Sequence, residues 1–363
     1  MKILYVDLER EWRGGQSQAL LTLCGLRDTG HSVELLAAKD SPLTDRVEAA
    51  GIAVHAVERL GLRAWAAQAI GRLTARGRYR LVHLNEPHAL TAAWLAGAQR
   101  YLPLLLSRRI GFPLRKNWIS QARYRAVERF VANSKDVAKS LTDSGIAAER
   151  ISIVNEGVKI PAPVPAEERK AARAAWGVRQ DEFLFGCASV FVPEKGQRHL
   201  VEAMPRVRAR FPKVKLLLAG EGRCLKEVML QAERFGVRDA VVFPGFVTEM
   251  EQFYAALDAF VFPSEFEGLG TALQAAMAHG LASISTARGA LGEVVENERT
   301  ALVVEPSWQE FAAAMTRLVE NGALRDSLAT AGREEVIRRF SAESMVGNTI
   351  AVYEDVLKKR KGA

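Results

Sequence analysis

The stretch Pro263-Ser264-Glu265-Phe266-Glu267-Gly268-Leu269-Gly270 concentrates residues able to do chemistry. It follows an apolar run, 259–262, that reads as a strand, and it precedes a helical pattern from Thr271 to His279. Gly268 and Gly270 let the backbone come close to a ligand and take positive φ. The first N–H groups of a helix lack partners and form the positive end of its dipole, so this loop suits an anion such as a diphosphate. An acid beside a phosphate is repelled by it and needs another purpose. Glu267 is placed to accept hydrogen bonds from sugar hydroxyls attached to that diphosphate. The same residues also fit a plain strand–helix turn whose acid favours the dipole. Glu265 and Glu267, two apart, are poor evidence for a metal, and no Asp-x-Asp occurs.

Other loops carry related patterns. Arg13-Gly14-Gly15-Gln16 follows the first strand, and Pro193-Glu194-Lys195-Gly196-Gln197 is a lysine loop. Leu-Leu-Leu-Ala-Gly-Glu-Gly at 216–222, Phe243-Pro244-Gly245-Phe246, Gly289-Ala290-Leu291-Gly292-Glu293-Val294-Val295 and Val154-Asn155-Glu156-Gly157-Val158 complete the set. In order and spacing these segments resemble glycosyltransferase family 4, and the resemblance runs through nearly the whole chain. It implies the GT-B fold, retention of anomeric configuration, no cofactor, and a nucleoside-diphosphate sugar as co-substrate. It also implies residue roles. Lys195 touches the donor diphosphate and offsets the charge on the leaving group; Glu267 holds the donor sugar. Gly268, Leu269, Gly270 and Thr271 present backbone N–H groups to the phosphates. Gly245 and Phe246 line the nucleobase pocket. Gly14 and Gly15 bring the first domain's backbone near donor phosphate and acceptor, unless they form a simple turn.

The chain departs from the family at three places. The family's second glutamate, eight residues after the first, is Ala275 here. Gln274 points about 100° away around a helix and is no simple substitute. That removes one charge-assisted hydrogen bond to the ribose, about 1.5–3 kcal/mol. No base precedes the lysine loop, where Val190 stands. Arg109 occupies the place of the family's histidine, in Ser107-Arg108-Arg109-Ile110-Gly111-Phe112. An arginine stabilises phosphate charge but is no base; Arg109 joins Glu267 and Lys195 as a catalytic candidate. His83, Glu86 and His88, around the end of the strand expected at 81–84, and Arg108 are acceptor-contact candidates, with plain polar loop residues as the other reading. His31 and His279 precede glycines and read as helix ends. The resemblance favours same-face attack with a phosphate oxygen as proton acceptor, and Lys195 plus the helix dipole in place of a metal. The alternatives are a non-catalytic nucleotide-sugar-binding protein, and a sugar-nucleotide epimerase or a phosphorylase of the same fold.

These residues need elements to position them. Short apolar runs at 2–7, 32–37, 52–55, 81–84, 104–107, 130–132 and 151–154 alternate with helical patterns. A second series lies at 183–187, 215–219, 240–243, 259–262, 282–285 and 301–304. Such alternation indicates α/β architecture with parallel, doubly wound sheets. The expected domains are 1–165, Rossmann-like and acceptor-binding, and 166–340, Rossmann-like and nucleotide-sugar-binding, facing across a cleft. A Pro-rich linker is expected at 157–169, and the last helix, about 341–363, is expected to pack on the first domain. Ligands of such sheets bind at the strands' C-terminal edges.

The 363 residues carry a net charge of +8. Residues 1–165 hold 24 Lys and Arg against 15 Asp and Glu, so the basic excess lies entirely in this part. Arg72, Arg76, Arg78 and Arg80 sit near Trp65. Arg108, Arg109, Arg115, Lys116, Arg123, Arg125 and Arg129 sit near Phe112, Trp118 and Tyr124. The expected partners are therefore the donor, a glycan or lipid-linked acceptor, and an anionic membrane surface. A solvated basic face is the bland reading, and no motif points to nucleic acid. Three cysteines without metal spacing, no signal peptide and no membrane-length apolar run lead us to expect a cytoplasmic protein, and the basic first half adds the expectation of peripheral contact at the inner membrane face. A role in cell-envelope or lipopolysaccharide synthesis follows from the resemblance.

Overall fold

The computed structural model describes residues 1–58, 60–76, 79–115 and 117–362. They fold as two compact units: Met1–Gly157 joined by the chain from Ala342 onward, and Val158–Ser341.

The first unit runs β1 (Lys2–Asp7), α1 (Gly14–Asp28), β2 (Ser32–Ala38), α2 (Pro42–Ala49), β3 (Ala53–Val57), α3 (Leu62–Ala75), β4 (Leu81–Leu84), α4 (Pro87–Leu95), β5 (Leu104–Arg108), α5 (Trp118–Arg125), β6 (Arg129–Ala132), α6 (Lys135–Asp143) and β7 (Ile151–Ile153). The strands form one parallel sheet in the order β3-β2-β1-β4-β5-β6-β7. Strand order reverses between β1 and β4, which defines a switch point at their C-terminal ends. Both sheet faces are covered. Leu4, Val6, Val82, Leu84 and Leu104 belong to one core and Ile3, Tyr5, Leu35, Leu81 and Leu105 to the other. Each large apolar side chain buried this way contributes about 1.5–3 kcal/mol.

The second unit runs α7 (Ala166–Ala175), β8 (Phe183–Ala188), α8 (Gln197–Arg210), β9 (Val214–Ala219), α9 (Leu225–Arg234), β10 (Val241–Gly245), α10 (Met250–Ala256), β11 (Ala259–Phe262), α11 (Thr271–Ala278), β12 (Ala282–Ser285), β13 (Leu302–Val303), α12 (Trp308–Glu320) and α13 (Gly322–Phe340). Its parallel sheet has the order β10-β9-β8-β11-β12-β13, with the switch point between β8 and β11. The Pro-rich stretch 157–169 packs on this unit from Val158 onward. Val158 N–H donates to the Phe340 carbonyl at 2.8 Å, and Arg333 holds the Pro161 carbonyl at 3.0 Å.

The last helix, α14 (Ala342–Gly362), packs on α1 in the first unit. It supplies Met345, Val346, Tyr353 and Val356 to the core behind β1. Gly25 permits this approach, because a Cβ there would lie 2.3 Å from Val346 Cγ2. Among the described residues, no helix is long and apolar enough to cross a membrane.

Candidate functional site

In the second unit the loops after β8, β11 and β12 meet at the switch point. Pro263 ends β11, and Glu265 N–H then donates to the Glu194 carbonyl at 2.7 Å. The Glu265 carboxylate also pairs with Arg198 at 2.5 Å and His199 at 3.2 Å, both in the first turn of α8. The lysine loop and the Glu267 loop are thus stapled together. Gly196, at φ 66°, is required by this closeness: a Cβ would sit 2.3 Å from the Pro263 carbonyl oxygen.

The result is a contact across 72 positions. Lys195 Nζ lies 2.5 Å from Glu267 Oε2 and 3.3 Å from the Phe266 carbonyl. Both side chains are mostly buried, at 17% and 18% exposure. Glu267 Oε1 also accepts from the Gly268 N–H at 3.1 Å. Immediately beyond, α11 begins at Gly270, left-handed at φ 63°, with no side-chain cap and no acid in its first turn. Its first N–H groups, starting at Thr271, lack a side-chain cap, and such a terminus suits an anion. Leu269 is 1% exposed, so its side chain serves the core and only its backbone is placed at the loop. Gly268 has open space where a Cβ would stand. Gly245 ends β10 in a left-handed conformation, and Phe246 after it is 69% exposed. Ala275 is partly buried against the core, and Gln274 is buried with Nε2 on the Leu269 carbonyl at 3.1 Å.

In the first unit the switch point holds a buried polar network that the sequence reading missed. Asp7 accepts from Gln16 at 3.0 Å, from Asn85 at 2.5 Å and from the Glu9 N–H at 2.9 Å. Asn85 also donates to the Gly15 carbonyl at 3.2 Å and accepts from Tyr5 at 2.8 Å. Burial raises the Asp7 carboxyl above its ordinary pKa and pushes the Tyr5 hydroxyl up to about 12. The available signal was positional: Asp7 ends β1 and Asn85 follows β4, the two strands at the reversal. Gly14 and Gly15 open α1, which has no side-chain cap, and a Cβ on either meets nothing within 4 Å.

Arg109 extends toward this network. It donates to the Asn85 carbonyl at 3.1 Å and pairs with Glu156 at 3.2 Å. Arg108 turns to the Phe112 carbonyl at 2.8 Å. Glu86 caps α4, accepting from Leu8 N–H at 3.2 Å, Ala89 N–H at 2.7 Å and His88 N–H. Desolvation first, then the neighbouring Asp7, raises its pKa to about 7. His88 is exposed and bonded to Arg63 at 2.8 Å.

Two expectations need correction. His83 is not a loop residue at a ligand edge. It lies within β4, is 2% exposed, and bonds Tyr353 at 2.5 Å and Ser107 at 2.7 Å. Burial, and then the Arg109 charge, lowers its pKa to about 3, so it stays neutral. The Arg108–Arg129 cluster is also not one surface. Arg129 is buried and paired with Asp355 at 2.7 Å, and Tyr124 is buried. Arg78 and Lys116, counted in the basic groups, lie outside the described residues.

Comparison with known proteins fits this geometry. Residues 12–160 match the family model described as Glycosyltransferase Family 4, and residues 168–335 match the one described as Glycosyl transferases group 1. The chain is 31% identical, over 71% of each protein, to a GDP-mannose-dependent alpha-(1-6)-phosphatidylinositol monomannoside mannosyltransferase of Mycobacterium tuberculosis. It is 27% identical to the lipopolysaccharide core biosynthesis glycosyltransferase LpsD of Rhizobium meliloti, over 77% of this chain and 79% of that one. A match to an uncharacterized glycosyltransferase of Methanocaldococcus jannaschii, 28% identical, spans 52% of this chain and about half, 49%, of that protein. Among solved structures, Anabaena HepE in complex with UDP and glucose superposes with a TM-score of 0.82 at 22% identity, covering 98% and 99% of the two chains, a likeness of fold. With two parallel sheets, a stapled lysine–glutamate pair at the second switch point and these relatives, the chain belongs to the group 1, family 4 glycosyltransferases of GT-B fold.

Proposed function

We propose that the protein moves a sugar from a nucleoside diphosphate sugar to a hydroxyl of a glycan or lipid-linked acceptor, with retention at the anomeric carbon and without a metal ion. The observation that carries this reading is the Lys195–Glu267 contact in front of the uncapped start of α11. A diphosphate competes with Glu267 for the Lys195 ammonium. Glu267 is then released to accept from sugar hydroxyls, while Lys195 and the helix N–H groups take the phosphate charge. Gly245 and Phe246 are assigned the nucleobase.

In the proposed step the bond from the anomeric carbon to the β-phosphate oxygen breaks. The acceptor oxygen bonds to that carbon on the same face, and its proton passes to a phosphate oxygen. The protein supplies positioning and positive charge. The first unit is assigned the acceptor, with Glu86 and His88 as contacts and Arg109 as a fixed positive charge. The LpsD relative supports an acceptor of the cell-envelope class.

Release of nucleoside diphosphate from a donor panel, followed by NMR of the product anomer, tests the proposal. A retained product, with turnover that disappears in Glu267→Ala, is expected. An inverted product overturns the same-face step, and turnover indifferent to Glu267 overturns the donor site.

We further propose peripheral contact with an anionic membrane. Trp118 (77% exposed) and Phe112 stand out near exposed Arg115, and Trp65 near exposed Arg72 and Arg76. Each basic residue near such a surface contributes about 1 kcal/mol. Flotation with anionic but not neutral vesicles is expected, and equal flotation with both kinds sinks the idea.

A further inference from the structure

The surface of the first unit carries an open, solvent-facing pocket of about 590 Å³ that the donor chemistry does not use. Leu8, Glu9 and Arg10 after β1, Leu62 and Arg63 at the start of α3, and His88 in α4 line it, so its one carboxylate, Glu9, faces two guanidinium groups. This is the size of a small-molecule site. We propose that this pocket binds an anionic group of phosphomonoester type carried by the acceptor sugar, with Arg63 and His88 as its ligands and Arg10 at its rim. The inference rests on the reading that the first unit receives the acceptor, and it names the acceptor's chemical class.

The argument starts from the 2.8 Å bond between Arg63 Nη2 and His88 Nδ1. A guanidinium only donates, so Nδ1 is the lone-pair nitrogen and Nε2 holds the ring proton. Arg63 thus spends a donor on a neutral imidazole. An anion is a stronger acceptor, by roughly twofold in bond strength, and displaces it. That displacement frees Nδ1 to take a proton, and His88 becomes a second cationic donor to the same anion.

The charges around His88 agree with this order of events. In the free protein its pKa is lowered by partial desolvation first, then by Arg63 on α3. Arg123 on α5 also lowers it, and Glu9 in the loop after β1 raises it. Glu86 faces the backbone N–H of His88 from the cap of the same helix. A bound dianion reverses the balance. The complex then carries more protons than the free protein, so affinity rises as pH falls.

The test uses the full chain with labelled histidine. Its probes are a hexose 6-phosphate, the parent hexose and inorganic phosphate, followed by NMR of the His88 ring and by calorimetry. The hexose phosphate is expected to shift His88, the parent hexose is not, and Arg63→Gln weakens binding by about tenfold. Between pH 7 and 9, where a phosphomonoester of pKa about 6 stays a dianion, binding takes up a proton. His88→Gln abolishes that uptake. Equal binding of hexose and hexose phosphate overturns the proposal, as does an unchanged Arg63→Gln. Inorganic phosphate binding as tightly as the sugar phosphate means an adventitious ion only, and overturns the acceptor assignment. Circular dichroism and nucleoside diphosphate binding are read on each variant. A wild-type chain that binds nucleoside diphosphate but not the hexose phosphate defeats this inference alone, whereas a wild-type chain that binds no nucleotide defeats the donor reading instead.

Discussion

The two switch points are built on the same sheet topology and differ in how their charges are satisfied. In the first unit Asp7, Asn85, Tyr5 and Gln16 bond one another, and Arg109 is held by the Asn85 carbonyl and Glu156. This is a scaffold: a buried network with its partners in place resists exchange because each lost bond leaves a desolvated group. In the second unit Lys195 and Glu267 satisfy each other at partial exposure, beside helix N–H groups with no side-chain cap. A ligand can replace such a pair, because it brings charge for the lysine and hydroxyls for the glutamate. The glycines divide along a related line: Gly14 and Gly15 in the first unit, and Gly268 in the second, have open space above them, while Gly196 and Gly270 are demanded by packing.

The largest way to break the comparison is Lys195→Ala. It should lower turnover by about 10²–10³, the scale for one preorganised charge-stabilising group. Nucleoside diphosphate release under saturating donor measures it, and a loss below about tenfold would mean that the pair is structural. Gly196→Ala should destabilise the protein by roughly 1–3 kcal/mol through its left-handed backbone alone, with the contact to the Pro263 carbonyl adding to that. Gly15→Ala, in open space, should stay within about 0.5 kcal/mol and show its effect in turnover. Thermal unfolding of both variants separates the two kinds of glycine, and equal destabilisation would erase the distinction.

Glu86 offers a pH test confined to the first unit. Its folded pKa, about 7, lies above the ordinary 4.5. The folded state therefore binds more protons between these values, and the charged form costs stability as pH rises from 4.5 to 7. Glu86→Gln should gain stability relative to wild type across that window, by on the order of 2–3 kcal/mol. A difference that does not grow with pH contradicts the burial argument. The smallest effect is at the edge of the donor loop. Ala275→Glu should restore a ribose contact and tighten nucleotide binding by about tenfold, read by calorimetry. Unchanged affinity would show that position 275 does not meet the nucleotide.

Much of the second site was legible in the sequence because its determinants are local. Pro263 stops a strand, Gly270 starts a helix, and Glu267 between them has little freedom of placement. The absence of an acid at 275 and of a base at 190 was equally visible. The first site was harder to read. Asp7 and Asn85 look like ordinary strand-end polar residues until the order β2-β1-β4 brings them side by side. His83 looks like a loop ligand until a helix 270 positions later supplies Tyr353 to cover it.

By itself, the sequence determined the alternating elements, the two parallel sheets, the family and the glycine-rich loop between β11 and α11, since periodicity, turn residues and motif spacing are properties of short segments. Only the tertiary structure decided that Lys195 reaches Glu267 and that Glu265 staples their loops. It likewise decided that Asp7 is buried, that His83 is structural, and that α14 completes the first unit's core. Those outcomes depend on pairings between residues far apart in the chain. Such pairings follow from which strands become neighbours and which faces must be covered, and no local pattern encodes that.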